Sequence, residues 1–365
     1  MGVSSTFFIR LYNVELILGM EKTMNNYLFM LFTEHPRRYR VIENTIRNKR
    51  TQATLFWALN YQILNWLGSA DHMTRNEFDA WMHHQQEQGL LMVQDDCAWL
   101  TKSGVHHKQR ILKNYYQPRF DRWTWLVNKK KYSERFLLAI QAISELSFYN
   151  RNYVPLGISI TEMSVVRNWL TRPGLISTVH KELLSIGEYL SSTDNQLAVL
   201  FAHTLLGHEM SGWTDTQAAN ELEVTSEEVM IMRRDIWLGI ASYLAGHPQS
   251  NLGQLMNSLL NSTPISNSAW RTVREFQRGV PIPKIAHVRH LKISTVREHL
   301  LEAAIIIPQS IDWQRLLTAN KIKAVQSHHR GPVSEWQFTR STNQPADDFF
   351  YFRLVQIWEL HHQHE

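Results

Sequence analysis

The sequence predicts a mainly α-helical, multi-domain protein with a winged-helix-like N-terminal domain that carries a small β-hairpin, a helical middle and a C-terminal helix-turn-helix domain. Three observations lead to this fold class. Apolar residues recur with the 3.6-residue period of a helix through most of residues 120–250. Two short apolar runs on either side of Asp95 and Asp96 indicate a β-hairpin. Near the C-terminal end, one glycine and two prolines separate short amphipathic segments, which is typical of a helix-turn-helix.

Length and composition set limits on the class of protein. With 365 residues, 44% of them hydrophobic, the chain is long enough for two or three domains with apolar cores. The net charge is only +5, so any surface for nucleic acid has to be local. Cys97 is the one cysteine, which excludes an intramolecular disulfide and leads us to expect a cytoplasmic protein. No apolar run reaches the roughly 18 residues that a membrane span needs.

Changes in composition predict where the domains begin and end. Residues 1–22 are apolar but are interrupted by Arg10 and Glu15, so we interpret them as an extension or a start-site artefact. A polar stretch with flanking prolines, from His247 to Pro264, predicts the last joint between domains. The other predicted segments are a winged-helix-like domain at 23–115, a helical domain at 116–260 and a helix-turn-helix domain at 261–365.

The N-terminal domain is predicted from the order of its elements. Leu55 and Leu59 begin a run of apolar residues at steps of four, which indicates a buried helix. A second helix is predicted from about Thr74 to Gln86, and the hairpin follows it. Helices followed by a hairpin give the order expected of a winged helix.

A basic cluster precedes the buried helix of this domain. Its members are Arg37, Arg38, Arg40, Arg47, Lys49 and Arg50, with Glu43 as the one acid among them. Guanidinium groups bind phosphate through paired hydrogen bonds, so the cluster suits the backbone of DNA. The alternative is a solvated helix face. The residues predicted to contact DNA here are Arg47, Lys49, Arg50 and Thr51.

The helical middle contains a helix-turn-helix pattern of its own, from Gly212 to Trp237. Ser226 or Thr225 can cap its last helix. Residues 215–228 include five acids and no lysine or arginine, so this surface would repel phosphate. We therefore interpret the unit as a scaffold or a protein-binding surface. The residues predicted to bind protein are Glu223, Glu227 and Glu228.

The C-terminal helix-turn-helix is predicted from Trp270 to Leu317. Gly279 ends its first helix, because glycine tolerates the left-handed backbone found there, and Pro281 and Pro283 fall where the second helix begins. The residues expected to face inward are Ile285, Ala286, Val288, Val296 and Leu300. Ser294 is the predicted N-cap of the third helix. The residues expected to face outward on that helix are Thr295, Arg297, Glu298 and Glu302.

The charge of this stretch favours contact with DNA. Residues 271–302 include seven basic residues and three acids, whereas a solvated neutral face would be balanced. A short polar and basic start is what a recognition helix needs to reach base edges and phosphates. The residues predicted to contact DNA here are Lys284, Arg289, Lys292, Ser294, Thr295 and Arg297.

The same stretch resembles the helicase-associated helix-turn-helix domain. The residues that carry the resemblance are Gly279, Ile285, Ala286, Arg289, Leu291, Thr295, Val296, His299, Leu300, Ile311 and Asp312. That domain ends some RecQ-type helicases and also bacterial proteins of the YpbB type, which are encoded beside a RecQ-type helicase. The resemblance covers roughly the last quarter of the chain and implies a RecQ-type helicase as partner. Residues 47–52 also resemble the Gly-Lys-Lys-Ser-x-Gln-Thr turn of YpbB-type proteins, with Asn48 in place of the glycine.

Signatures of catalysis are absent from the sequence. It has no G-x-x-x-x-G-K-[ST] phosphate loop and no zinc-binding spacing, so we predict no enzyme activity, cofactor, metal or small-molecule substrate. The leading hypothesis is a non-catalytic DNA-binding accessory protein that acts with a RecQ-type helicase in DNA repair or recombination. The alternatives are a helix-turn-helix transcription regulator and a protein-interaction scaffold without DNA contact.

Overall fold

The computed structural model of the chain describes residues 25–120, 127–261, 263–329, 331–338 and 348–362. These residues are mainly helical and include a small antiparallel sheet of three strands, which confirms the predicted fold class. The predicted N-terminal extension, residues 1–22, lies outside the described residues. Within the described ranges, every helix is too short or too polar to cross a membrane.

The backbone forms two compact units, each built from stretches that are separate in the sequence. The first unit contains the described parts of Met1–His35, Asp79–Met92 and Trp99–Ser262. The second unit contains the described parts of Pro36–Phe78, Val93–Ala98 and Thr263–Glu365. The domain boundaries drawn from the sequence stay a prediction, because a compact unit of backbone is not by itself an independently folding domain.

The N-terminal elements follow the predicted order of helices and then a hairpin. They are a 3-10 turn at Tyr27–Leu31, strand β1 (Arg37–Arg38), helices α1 (Tyr39–Ile46) and α2 (Gln52–Asn60), a 3-10 turn at Leu64–Trp66, helix α3 (Arg75–Glu87), strands β2 (Leu91–Gln94) and β3 (Cys97–Leu100), and helix α4 (Lys102–Asn114). The strands lie in the order β1–β3–β2, and Arg38 is opposite Cys97. Asp95 has a left-handed backbone with φ of 51°, which aspartate tolerates and which a tight hairpin turn requires. The predicted hairpin is confirmed.

The helical part of the first unit is built around one buried helix. Its helices are α5 (Lys129–Ser147), α6 (Ile160–Trp169), α7 (Leu175–Thr193), α8 (Asn195–Ala202), α9 (Asp215–Glu221), α10 (Ser226–Gly246) and α11 (Asn251–Met256), followed by a 3-10 turn at Asn257–Leu259. Residues 231–241 of α10 are buried on every side. Phe136 of α5 packs edge to face against Trp237 of α10, with ring centres 5.8 Å apart. A helix that is buried all round forms the centre of a core.

A buried arginine joins α9 to α10. The Arg233 guanidinium donates to the Asp215 carboxylate at 2.9 Å and to the Thr204 hydroxyl at 2.7 Å. It also donates to the carbonyl of Trp213 at 2.8 Å. The side chains of Arg233 and Asp215 are both 4% exposed. Because an unpaired buried charge is costly, this network fixes the two helices against each other.

The C-terminal part of the second unit is centred on its third helix. The elements are α12 (Asn267–Gln277), α13 (Ile282–Val288), α14 (Ile293–Ile306), a 3-10 turn at Pro308–Ser310, α15 (Trp313–Leu316), α16 (Ala319–His328), a 3-10 turn at Val333–Glu335 and α17 (Asp348–His362). Helix α14 packs against α2, α12, α13 and α17, all within the second unit. Val296 and Leu300 are fully buried, which confirms that they face inward.

Candidate nucleic-acid interface

The turn between α12 and α13 follows from one glycine and two prolines. Gly279 has a φ of 89°, and its N–H donates to the carbonyl of Phe276 at 3.0 Å. This helix ending needs a residue with a left-handed backbone, which glycine adopts without a steric penalty. Pro281 is the N-cap of α13, and Pro283 lies in its first turn. The predicted helix end and helix start are both confirmed.

The turn between α13 and α14 is made without glycine. His290 has a φ of 51°, and the N–H of Leu291 donates to the carbonyl of Ala286 at 2.9 Å. Lys292 is the N-cap of α14, with an extended backbone (φ −70°, ψ 147°). Within the described part of the chain, no side chain caps the first N–H groups of this helix. The prediction of Ser294 as N-cap was wrong, because Ser294 is already helical.

The inward face of α13 is smaller than predicted. Ile285 and Ala286 are buried, with 1% and 4% of their surface exposed, as expected. Val288 is 63% exposed, so the prediction that it faces inward was wrong. Val288 is the last residue of α13, and the chain turns away immediately after it.

Three residues predicted to contact DNA are exposed at the starts of α13 and α14. Lys284 is in the first turn of α13, Lys292 precedes α14, and Ser294 is in the first turn of α14. Thr295 is half-buried beside Ser294. The first N–H groups of a helix lack partners inside the helix and give this end a partial positive charge. These residues can therefore present positive charge and hydrogen-bond donors to an anion.

Arg289 is half-buried, and its guanidinium is hydrogen-bonded to α12. It donates to the carbonyl of Ser268 at 2.9 Å and to the hydroxyl of Thr272. The same hydroxyl shares a hydrogen bond with Nδ1 of His299 at 2.9 Å. Burial, and then the nearby charge of Arg271, lower the pKa of Arg289. Arg289 and His299 both carry the sequence resemblance, so this part of the motif joins α12, the end of α13 and α14.

Asp312 and Ile311, two further residues that carry the resemblance, support the fold of the domain. Asp312 is the N-cap of α15, and its carboxylate accepts a hydrogen bond from the N–H of Arg315 at 3.1 Å. The Arg315 guanidinium in turn donates to the carbonyl of Gly279 at 2.6 Å. Ile311 is 7% exposed. The segment after α14 therefore holds the turn that begins at Gly279.

Arg297 lies against a neighbouring helix. Its guanidinium carbon is 5.6 Å from the ring centre of Phe350 on α17, a cation–π distance. The Arg297 side chain is half-buried, whereas Glu298 beside it is exposed. The sequence predicted an outward Arg297; the structure places its guanidinium on an aromatic ring that is 4% exposed.

The basic cluster of the N-terminal region contacts α14. Arg50 donates to the carbonyl of Pro264 at 2.6 Å and to the carboxylate of Glu302 at 3.2 Å. Gln52 donates to the carbonyl of Glu298 at 2.5 Å. Burial lowers the pKa of Arg50, and the charge of Glu302 opposes this effect. Glu302, expected to face outward, is therefore a partner inside the second unit.

Three arginines of the second unit surround one buried carboxylate. Arg40, Arg47 and Arg75 lie 2.8, 2.6 and 3.3 Å from the oxygens of Glu43. Burial opposes ionisation of Glu43, but the hydrogen bonds from the arginines outweigh it and lower the pKa of this carboxyl. Arg47, predicted to contact DNA, thus neutralises a charge in the interior.

The turn before α2 combines a helix start with an exposed lysine. Asn48 has a φ of 60°, a left-handed backbone that asparagine tolerates, and it stands where the resembled turn has glycine. The Thr51 hydroxyl accepts a hydrogen bond from the N–H of Thr54 at 3.2 Å and caps α2. Lys49 is exposed. Among the four residues predicted for DNA contact in this cluster, Arg47, Arg50 and Thr51 have these internal roles.

In the acidic helix-turn-helix pattern, Glu228 is part of the interior. Thr225 caps α10, and the Glu228 carboxylate accepts from the N–H of Thr225 at 2.8 Å, which completes a capping box. Glu228 also accepts from the N–H of Tyr116 at 2.9 Å and is 5% exposed. Of the two predicted caps, Thr225 is the one used.

The other two glutamates predicted to bind protein differ in exposure. Glu227 accepts a hydrogen bond from the N–H of Asn26 at 3.1 Å. Burial raises the pKa of Glu227, against the hydrogen bonds from Asn26. Glu223 is exposed in the turn before α10, with a φ of 56°. Glu223 is thus the most accessible of the three predicted residues.

No group of three or more histidine, cysteine, aspartate or glutamate residues is placed to hold a metal ion in the described ranges. The exposed lysines at the starts of α13 and α14 are the part of the predicted interface that is suited to binding an anion.

Comparison with known proteins agrees with this geometry. Residues 268–355 match a family model described as a helix-turn-helix domain, so the C-terminal part of the chain carries such a domain. The chain is also similar to protein YpbB of Bacillus subtilis (strain 168), at 23% identity over 308 residues that cover 77% of this chain and 85% of YpbB. No solved structure gives a significant match. The chain is therefore a distant relative of YpbB.

Proposed function

We propose that this chain is a non-catalytic DNA-binding accessory protein whose helix-turn-helix contacts DNA through the start of α14. One observation carries the proposal. In a region that matches a helix-turn-helix domain, Lys292 and Ser294 are exposed at the start of the third helix. The third helix of such a motif is the one that enters the major groove with its N-terminal residues.

The chemistry at this helix start suits a phosphate. Its first N–H groups point along the helix axis, and the partial positive charge of a helix N-terminus favours anions. Lys292 adds a full positive charge there, and Lys284 adds another at the start of α13. Arg271 and Arg274 are exposed on α12 in the same domain. Acids are few on these helices, so their net charge attracts DNA.

Some of the residues predicted to contact DNA are bonded to other parts of the protein, so fewer residues are proposed as DNA contacts. Lys284, Lys292 and Ser294 remain the proposed contacts in this domain, together with Lys49 in the N-terminal cluster. Arg289 and Arg297 hold the helices in place, so we propose that they act by positioning α14. Substitution of either residue would then weaken DNA binding through a shift of the helix.

The partner is a further part of the proposal. The sequence resemblance and the similarity to YpbB support a YpbB-like protein, and the resemblance alone carries the proposal of a RecQ-type helicase in DNA repair or recombination. A surface that includes Glu223 is the proposed protein contact. Purification from the native host followed by identification of the copurifying proteins tests this part, and the recovery of no helicase would contradict it.

The DNA contact is tested by titration with salt. The affinity for a random duplex is measured by fluorescence anisotropy over a range of salt concentrations, for the wild type and for Lys284→Ala and Lys292→Ala. Each lost phosphate contact is expected to lower the slope of log affinity against log salt by about 0.9. Affinity should fall on every sequence, because phosphate contacts carry no base information.

A matched lysine provides the control. Lys181 is exposed on α7 in the first unit, so Lys181→Ala removes the same charge from a helix outside the proposed surface. Its titration curve should coincide with that of the wild type. If the curves of Lys284→Ala and Lys292→Ala also coincide with it, the start of α14 does not contact DNA.

A further inference from the structure

Arg38 and Arg353 of the second unit each lie on an aromatic ring of α2. The guanidinium carbon of Arg353 on α17 is 3.6 Å from the ring centre of Phe56 and 5.3 Å from that of Phe349. The guanidinium carbon of Arg38 in β1 is 4.9 Å from the ring centre of Trp57. A guanidinium that stacks on a ring keeps its N–H groups directed along the plane of the ring, where they can donate to another molecule.

The environment of Arg353 is unfavourable to positive charge, whereas Arg38 is exposed. Arg353 is half-buried, and burial followed by the like charge of Arg38 lowers its pKa to about 10. Among the described residues, no carboxylate forms an ion pair with either guanidinium. Charged side chains that leave water are normally paired, because desolvation disfavours the charged form. An anion bound at Arg353 would supply the missing partner, and the Phe56 and Trp57 rings on which Arg353 and Arg38 lie have centres 5.5 Å apart.

The ring contacts also fix the geometry of the pair. Phe56 is 1% exposed and belongs to the core of the second unit, so the Arg353 guanidinium rests on a rigid surface. Arg38 is held through its backbone, since its N–H donates to the Tyr61 hydroxyl at 3.0 Å. Two planar groups that are already oriented lose little freedom on binding.

We propose that Arg38 and Arg353 form a phosphate-binding site. A phosphate group has several oxygens and can accept hydrogen bonds from two guanidinium groups together. The source of the phosphate is either the backbone of a nucleic acid or free inorganic phosphate. The site involves β1, α2 and α17 and does not require that the start of α14 contacts DNA, so it extends beyond the proposed function.

The test uses the full chain and three probes. They are a single-stranded oligo(dT), a random duplex and sodium phosphate with chloride adjusted to keep the ionic strength constant. Arg38→Gln and Arg353→Gln are each expected to lower affinity for the probe that occupies the site by about tenfold or more. For the nucleic acids, each loss should also lower the salt slope by about 0.9 on the duplex and about 0.7 on the single strand.

Two further variants keep the test decisive. Arg353→Lys retains the charge and the long side chain but not the planar fork, so it should bind more weakly than the wild type while remaining folded. Arg151 is exposed in the first unit, and Arg151→Gln is the matched control that should bind as the wild type does. Lys292→Ala is measured in parallel, so that a failure of the α14 contact is distinguished from a failure of this site.

The outcomes separate the two sources. Weaker binding of the nucleic acids by Arg38→Gln and Arg353→Gln supports the site with a nucleic-acid backbone as its occupant. Weaker binding of inorganic phosphate alone supports the site with free phosphate as its occupant. If both variants bind all three probes with wild-type affinity, the proposal is overturned.

Discussion

The chain has two three-helix patterns of the same order, and they differ in how the third helix begins. In the first unit the pattern is α8, α9 and α10, and in the second it is α12, α13 and α14. A buried valine, Val229 or Val296, lies near the start of each third helix. In α10 a capping box pairs the N–H groups of Thr225 and Glu228 and places the Glu228 carboxylate at the helix start. In α14 the N-cap is Lys292, whose side chain cannot accept a hydrogen bond.

The two helix starts therefore differ in chemistry although the order of helices is the same. A carboxylate at a helix N-terminus repels phosphate. An N-terminus that begins with an exposed lysine has both charge and donors.

The largest effect on stability is expected from substitution of the arginine that joins the helices of each pattern, Arg233 in the first unit and Arg289 in the second. Arg233→Met leaves Asp215 as a buried charge without a partner, which should cost about 3–5 kcal/mol in the first unit. Arg289→Met removes hydrogen bonds to Ser268 and Thr272, which are neutral, and should cost about 1.5–3 kcal/mol in the second unit. Hydrogen exchange of peptides from each unit, followed by mass spectrometry, measures the two costs separately.

A double substitution serves as the control for the buried pair. Asp215→Leu with Arg233→Met removes both charges, and most of the lost stability should return because an apolar pair of similar volume is often neutral. Equal costs for Arg233→Met and Arg289→Met would show that the charge of the partner does not distinguish the two patterns.

A smaller effect is expected from exchanging the caps. Thr225→Ala should destabilise the first unit by about 1 kcal/mol, because it removes the N-cap oxygen. Lys292→Ser introduces such an oxygen at a residue whose backbone is already extended, and should stabilise the second unit by about 0.5–1 kcal/mol. The same substitution should lower the salt slope of DNA binding by about 0.9. Exchange rates and anisotropy titrations measure the two properties on one variant.

Lys292→Ser is informative because its stability and its DNA affinity are expected to change in opposite directions. A rise in stability with unchanged DNA affinity would contradict a DNA contact at the start of α14. A fall in both would indicate that Lys292 has a structural role inside the second unit.

The smallest effect is expected in the dependence of stability on pH. Burial, and then the charge of Arg289, lower the pKa of His299 in the folded chain. Protonation therefore favours the unfolded state. The stabilising contribution is complete above the unfolded pKa of about 6.5 and is lost as the pH falls below it. His299→Asn should flatten this loss in the second unit, with exchange measured between about pH 7 and 5.

The first unit provides the internal reference for this measurement. Met232 lies three residues after Val229, as His299 lies three residues after Val296, and Met232 cannot titrate. Peptides of α10 should therefore give the same pH dependence in the wild type and in His299→Asn. A change confined to α10 would contradict the assignment to His299.

Local rules predicted the parts of the fold that depend on local chemistry. Gly279 and Pro281 mark a helix end and a helix start because their backbone limits are the same in any protein. The hairpin around Asp95 and the inward positions of Val296 and Leu300 follow from residue periodicity. These features needed no knowledge of distant segments, and the structure has them as predicted.

The use of the charged residues depended on distant segments. A count of charges treats every arginine as available to bind phosphate. In the structure, Arg50 pairs with Glu302, which is far from it in the sequence, and Arg289 donates a hydrogen bond to α12. Neither partner could be read from spacing. Serine is a residue type that often caps helices, so Ser294 was predicted as the N-cap. The left-handed turn at His290 instead places the extended backbone of an N-cap at Lys292. The pair of Arg38 and Arg353 was also outside the reach of sequence patterns, since the two lie near opposite ends of the chain.

The division of the second unit between distant stretches of sequence has a consequence for synthesis. Helix α2 leaves the ribosome long before α14 and α17, so its contacts with these two helices form only when translation is nearly complete. Contacts between distant residues form slowly, because a long loop must close first. A fragment cut at residues 268–355 would lack Arg50, Gln52 and Phe56, and its third helix would have an uncovered apolar face. We therefore expect that recombinant production of the helix-turn-helix needs residues 36–78 on the same chain or supplied as a separate peptide.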